Sequence, residues 1–270
     1  MTPAKTRPPV VLTIAGTDPS GGAGIQADLQ VFRDHGCYGT SAITAVVWQN
    51  TQGVGGWRAM KSDELRAQID AVWRDFDVDA VKIGMIGSGR LVEAIRDFLE
   101  TGEGTTPVVL DPVMAAGADG HEMMTSGGRH ALVSLTDHVD LLTPNIPEAR
   151  RLVGDDDDAA AIDLVEGLLE RGWKRVLLKG GHLRRQPSEA VVDWYGAASE
   201  IVELRGLEAV DDDVRGTGCQ LSSAIAAGVA RGKSWRSAID EARDYLHRLI
   251  TESSAILGAG RPLVVRSDHR

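Results

Sequence analysis

Short β-branched runs alternate along this chain with stretches whose apolar residues recur every three or four positions. The runs Val10 to Ala15, Ser41 to Val47, Ala80 to Ile83, Val108 to Leu110, Val139 to Leu142 and Val176 to Leu178 have the length and composition of buried strands. Between them Leu91, Val92, Ile95, Phe98 and Leu99 keep helical spacing, as do Leu164, Leu168 and Leu169, and later Trp235, Ile239, Ala242, Leu246, Leu249 and Ile250. Strands separated by helices need crossover connections, so the pattern predicts an α/β fold with a mostly parallel central sheet. Ala190 to Tyr195 and Ile201 to Leu204, with Gly196 to Ser199 between them, predict a hairpin on the sheet edge. Open sheets of this kind bind ligands beyond the carboxyl ends of their strands, so the residues just after each run carry the functional interest.

Composition narrows the classes. The 270 residues, 43% hydrophobic and 25% charged, suit one soluble domain over residues 9–263, with loose tails at 1–8 and 264–270 that carry no apolar pattern. A net charge of −10 repels nucleic acid and anionic membranes, so any phosphate must be held locally. The two cysteines, Cys37 and Cys219, match no metal-ligand spacing and point to a reducing compartment. Met1 to Pro9 has no apolar signal region and no later run reaches membrane-spanning length, so the expected location is cytoplasmic.

Gly216-Thr217-Gly218-Cys219 opens directly into an apolar helix. The first backbone N–H groups of a helix lack intrahelical acceptors and carry the positive end of its dipole, so an anion fits there, and so would a thiolate. The competing reading is a glycine-capped helix followed by a buried cysteine. After the first strand, Ala15 to Asp28 contains four glycines, at 16, 21, 22 and 24. Their order is not that of a dinucleotide fingerprint and no ribose-binding acid follows, which excludes NAD. The loop admits close approach of a small ligand, with Asp28 on the next helix able to hydrogen-bond it; the alternative is a flexible strand-to-helix connection.

Taken in order, seven segments resemble the hydroxymethylpyrimidine and phosphomethylpyrimidine kinases of the ribokinase-like superfamily: Ala15 to Asp28, Gln49-Asn50-Thr51, Lys82-Ile83-Gly84-Met85, Asp111-Pro112-Val113-Met114, Thr143 to Ala149, Lys179 to His182 and Gly216 to Cys219. The resemblance implies a three-layer α/β/α sandwich, ATP with Mg²⁺ as phosphoryl donor, a small pyrimidine substrate and a homodimer. It places Gly16, Asp28, Gln49, Met85 and Val113 around the substrate. A glutamine amide offers the acceptor and donor that an aminopyrimidine edge complements, although Gln49 could equally cap a turn and Met85 could be core. The resemblance assigns Lys179, Arg215, Thr217 and Gly218 to ATP, and Asp111 and Glu148, beside Asn145, to magnesium; an ordinary helix start after Pro144 is the other reading of Glu148. Gly216, Gly218, Lys179 and Cys219 are the expected catalytic set, with Cys219, eased toward ionisation by the helix start, either the base or a wall of the anion hole.

The chain also departs from the family. Asp211-Asp212-Asp213-Val214-Arg215 stands where relatives have an Asn-Thr-His approach, so either Arg215 compensates by donating to phosphate or ATP binding weakens. Trp48 replaces a small residue, but strand alternation turns it away from Gln49. Ala115 to Met124 lacks the usual Ser-Gly-Asp order, and His121 within it reads as a surface residue. Asp155 to Asp158 reads as a solvated helix start rather than a metal cluster. Cys37 reads as packing. Pyridoxal kinase and a non-catalytic pyrimidine-binding regulator are the competing functions. A base at position 219 predicts that Cys219→Ala loses most turnover while Cys219→Asp retains more; equal turnover in Cys219→Ala and the unaltered protein, measured under substrate saturation, would remove that role.

Overall fold

The computed structural model describes residues 7–102, 104–116, 120–154, 159–180, 190–198, 200–208 and 214–265. In chain order its elements are β1 (Val10–Ala15), α1 (Gly24–Asp34), β2 (Tyr38–Ile43), β3 (Ala45–Gln49), β4 (Val54–Ala59), α2 (Ser62–Trp73), β5 (Ala80–Ile83), α3 (Gly89–Thr101), β6 (Val108–Leu110), β7 (Ala115–Ala116), β8 (His121–Glu122), α4 (Ser126–Ala131), β9 (Leu141–Leu142), α5 (Ile146–Val153), α6 (Ala161–Glu170), β10 (Arg175–Leu178), β11 (Ala190–Ala197), β12 (Glu200–Glu208), α7 (Thr217–Ala230), α8 (Trp235–Ser253), β13 (Ser254–Ala255) and β14 (Leu263–Val264). Eight strands form one sheet in the order β12-β11-β10-β9-β6-β5-β1-β2. Every neighbouring pair from β2 to β10 is parallel. The β11–β12 hairpin closes the edge antiparallel, as its sequence predicts.

Successive side chains of a strand point to opposite faces, and here each face feeds its own core. Leu12, Ile14, Val81, Ile83 and Leu110 pack with α3 and α6 residues such as Ile95, Phe98 and Leu168. Val11, Ala80, Val109, Leu141 and Leu177 pack on the other side with Phe32 of α1, Leu221 and Ile225 of α7 and Ile239 of α8. The outcome is the expected three-layer sandwich. Cys37 joins the second core at 7% exposure, consistent with a packing residue.

The strand expected over Ser41 to Val47 is two strands. Buried Thr44 donates its hydroxyl to Met85 O (2.5 Å) and its N–H to Ala15 O (3.0 Å), which turns the chain out of the main sheet. β3 then pairs antiparallel with β4 as a separate ribbon that hydropathy alone did not reveal. Alternation holds along β3: Ala45 and Val47 are buried, Val46 and Trp48 exposed. The strand expected over Val139 to Leu142 shortens to Leu141–Leu142, because Val139 ends the preceding 3₁₀ helix Leu132–His138.

The ends are tied further out than expected: Arg7 pairs with Asp79, and Val264 and Val265 bond to the Ser253–Ser254 segment. The remainder of both tails, like Asp155 to Asp158, Gly181 and His182, and Asp211 to Asp213, lies outside the described residues. Among the described residues no helix is long and apolar enough to cross a membrane.

Candidate active site

The segments singled out by sequence converge at the carboxyl edge of the parallel strands. The first glycine loop leaves β1 and folds against the start of α7. Gly216 caps that helix with φ of 78°, and a Cβ there would lie 1.9 Å from Gly22 O, so only glycine lets the two loops touch. Within α7, Gln220 N bonds to Gly216 O at 3.1 Å, so the amides of Thr217, Gly218 and Cys219 precede the helix ladder. All four residues from Gly216 to Cys219 are partly exposed. Such a row of amides at a helix start suits a phosphate.

Beneath it sits a charge pair that sequence reasoning missed. Lys82 on β5 is fully buried and places Nζ 2.9 Å from both carboxylate oxygens of Asp28 on α1. Asp28 also accepts the hydroxyls of Thr13 (2.6 Å) and Ser223 (2.7 Å). Asp28, expected beside the substrate, is fully buried and its oxygens bond to β5, β1 and α7. The available signal was Lys82 itself, a lone charge in the apolar strand Ala-Val-Lys-Ile, which demands a buried partner. Burial opposes its charge, but Asp28, Cys219 and Asp111 outweigh it and push the Lys82 pKa up to about 12.

Cys219 stands over this pair. Burial pushes its thiol up to about 11, with Lys82 and the Gly24 N–H acting the other way and Asp28 and Asp111 adding to the rise. The helix start does not ease its ionisation as expected, because desolvation outweighs the cationic neighbour, and Cys219 is a neutral thiol near pH 7.

Lys179 ends β10. Its N–H bonds Pro144 O (2.8 Å) and it forms a parallel bridge with Asn145, which draws the start of α5 alongside. Its Nζ donates to Asp111 Oδ1 (2.7 Å), and a Cβ on Gly218 would be 3.1 Å from that Nζ and 3.5 Å from Asp111 Oδ2. Lysine, carboxylate and helix start thus meet at one point. Glu148 closes a capping box with Asn145, each accepting the other's backbone N–H at 2.8 Å. The helix-start reading of Glu148 therefore holds, yet the same side chain also faces Lys179 and Asp111. Burial and Asp111 raise its pKa, against Lys179 and the N–H groups of Asn145 and Met114, to about 7. Among the described residues no three His, Cys, Asp or Glu side chains form a protein-only metal cage.

On the other side of the edge, Met85 packs with Ala45, Val47 and Met123, with Val113 against them. A Cβ on Gly16 would lie 2.9 Å from Met85 Sδ, so Gly16, Met85 and Val113 form one small wall. Gln49 is partly exposed nearby. Its Oε1 accepts from Arg215 Nη2, and its Nε2 donates to Thr17 O at 3.4 Å. Arg215 is 4% exposed and its Nε lies 3.7 Å from Asp18 Oδ2. The guanidinium of Arg215, expected to reach phosphate, turns here to Gln49 and Asp18. Asp18, also missed, orders the glycine loop by accepting from Ser20 N (2.9 Å), Ser20 Oγ (2.7 Å) and Ala23 N (2.8 Å). His121 lies half-buried in β8 rather than in a loop.

Residues 18–263 match the family model described as phosphomethylpyrimidine kinase. The chain is 38% identical over 244 residues to the hydroxymethylpyrimidine/phosphomethylpyrimidine kinase of Haemophilus influenzae, an alignment covering 89% of this chain and 90% of that protein. The structure of phosphomethylpyrimidine kinase from Clostridium difficile 630 is similar at TM-score 0.76 and 34% identity, over 90% of this chain and 100% of that one. The pyridoxal kinase of Staphylococcus aureus, in complex with AMP-PCP and pyridoxal, is similar at TM-score 0.85 and 26% identity, over 96% of this chain and 94% of that one.

Two expectations follow from the buried charges. Lys82→Met leaves the Asp28 side chain buried with hydroxyl partners alone, and should cost about 3–5 kcal/mol in urea unfolding, part of which Asp28→Asn in the same chain restores; an unchanged midpoint would show the pair to be energetically neutral. For Glu148, a folded pKa of about 7 against an ordinary 4.5 means that the folded state binds more protons between those values. Stability is thus lost as pH rises through that window. Glu148→Gln keeps the capping geometry without the charge, so it should melt higher than the unaltered protein at about pH 8 and alongside it at about pH 4.5.

Proposed function

The chain belongs to the phosphomethylpyrimidine kinase family, and from that premise we propose that it transfers the γ-phosphoryl group of ATP to 4-amino-5-hydroxymethyl-2-methylpyrimidine and then to the monophosphate, giving the diphosphate used to build thiamine phosphate. The observation that carries this reading is the meeting of Lys179 and Asp111 with Gly218 at the start of α7, across from the wall of Gly16, Met85 and Val113.

In this reading the acceptor ring lies against Met85 and Val113, with the Gln49 amide toward its aminopyrimidine edge. The acceptor oxygen attacks the γ-phosphorus, the bond to the β–γ bridging oxygen breaks, ADP leaves, and the proton of the acceptor hydroxyl passes late to the transferred phosphate or to solvent. The amides of Thr217, Gly218 and Cys219 hold the charge that spreads over the transferring oxygens. Lys179 neutralises the phosphates from below Gly218. A loose transition state asks little of a base, which fits Cys219 as a neutral thiol lining the hole rather than a thiolate. Asp111 and Glu148 supply the carboxylates that would hold magnesium, largely through water, and the metal would supply positive charge to neutralise the triphosphate. Burial is the main cause of the raised Glu148 pKa, and a dication beside the carboxylate would favour its charged form. A homodimer in the cytoplasm completes the reading.

Pyridoxal is the second acceptor to consider, because the Staphylococcus aureus structure with the higher TM-score is a pyridoxal kinase; the curated relative's name favours the pyrimidine. A coupled ADP-release assay with Mg-ATP, offered hydroxymethylpyrimidine, its monophosphate and pyridoxal in parallel with mass detection, is expected to yield the pyrimidine mono- and diphosphates. Pyridoxal phosphate as sole product would move the activity to vitamin B6, and ATP binding without any product would favour a regulator.

A further inference from the structure

We infer that Arg215 is a positioning residue for the acceptor: its guanidinium fixes which way the Gln49 amide faces and thereby sets acceptor affinity, not nucleotide affinity. This rests on the reading above that Gln49 meets the acceptor ring.

The two ends of a glutamine amide differ only in hydrogen-bonding sense, so their orientation is decided by their neighbours. A guanidinium carries donors alone, and a backbone carbonyl accepts alone. Arg215 Nη2 on one side and Thr17 O on the other therefore both demand the same orientation, with Oε1 toward Arg215 and Nε2 toward Thr17. The amide oxygen retains a second lone pair and the nitrogen a second N–H. Their presentation to a ring is set before any ligand arrives.

Arg215 is itself immobilised, which is what makes it a usable reference. Its backbone N–H bonds Pro262 O at 3.0 Å, and Gly216 follows it directly at the cap of α7. Its side chain runs over the first glycine loop, where a Cβ on Gly22 would be 3.8 Å from its Cδ. Asp18, fully buried, balances its charge at 3.7 Å from Nε. Among the described residues that Nε has no hydrogen-bond partner, so the guanidinium is held by charge and packing and directs its formed hydrogen bond at Gln49. One residue thus ties the acceptor-reading ribbon, the glycine loop and the anion-binding helix together. A guanidinium can only donate, so Arg215 holds Gln49 in one sense only.

The test is a double-mutant cycle with Arg215→Met and Gln49→Met, read by calorimetric binding of the acceptor, by KM for acceptor and for ATP, and by melting temperature. Arg215→Met should weaken acceptor binding about tenfold, the worth of a charge-assisted hydrogen bond, with KM for ATP unchanged. In the Gln49→Met background the same change should cost nothing further, and Arg215→Lys, still a pure donor, should fall between. A raised KM for ATP with unaltered acceptor affinity, or additive losses in the cycle, would overturn the proposal, as would a collapse of the fold that raises both constants together in Arg215→Met and Arg215→Lys alike. If the unaltered protein turns over pyridoxal alone, the pyrimidine reading fails, and the cycle run with pyridoxal still decides the role of Arg215. A readout free of turnover is the side-chain amide of Gln49 by NMR, identified by its loss in Gln49→Met: its N–H signals should exchange faster with solvent in Arg215→Met, and unchanged exchange would refute the link.

Discussion

A charge buried without water must be matched where it stands, and Lys82 imposes that condition on the centre of this molecule. Its ammonium meets Asp28, and Asp28 in turn takes the hydroxyls of Thr13 and Ser223, so two strands and two helices share one polar point inside an otherwise apolar layer. The arrangement has little room for variation, because each lost partner would leave a buried group unpaired. Ser223 lies one turn beyond Cys219 on α7, so the bond that neutralises Asp28 also sets how the start of that helix faces the strand ends. The anion-binding end of the helix is thereby positioned by a contact made deep beneath it.

A second constraint is steric. The close approach of Gly216 to Gly22 O and the contact of Gly24 with Cys219 bring the two glycine loops together. Phosphate binding at a helix start needs bare backbone, and acceptor binding after β1 needs a compact turn. Glycine meets both needs at one interface, so in the proposed reading the nucleotide side and the acceptor side of the site are continuous through residues 18–24 and 215–219.

Much of this was legible in the sequence. The α/β alternation gave the sheet and its two covering layers because short strands buried on both faces leave continuous apolar runs, and the motifs fell at strand ends because parallel strands share one carboxyl edge. What escaped was of another kind. Thr44 breaks an apolar run through two hydrogen bonds that local pattern does not encode, so one strand became two and the β3–β4 ribbon went unseen. The partners of Asp28 and Arg215 also escaped, because Lys82 and Ser223 for the one and Gln49 for the other are distant in sequence and come to them only in the fold. Cys219 shows the limit of a dipole argument: a helix start favours a thiolate, but burial there outweighs it.

The electrostatics of the phosphate end explain how a chain of net charge −10 can favour a triphosphate. Lys82 is spent on Asp28 and Lys179 rests on Asp111, so neither is an unopposed cation before nucleotide arrives. With Glu148 also present, Lys179 faces two carboxylates; the Glu148 pKa is raised chiefly by burial, against the pull of Lys179. In the proposed reading Asp111 and Glu148 would hold a dication, which would supply positive charge beside the phosphates and leave Lys179 to face their oxygens. Attraction for the anion then comes from backbone amides, which carry no net charge and need no counterion when the site is empty. On that reading the arrangement of Asp111, Glu148 and Lys179 suits a magnesium complex of the triphosphate better than the free anion.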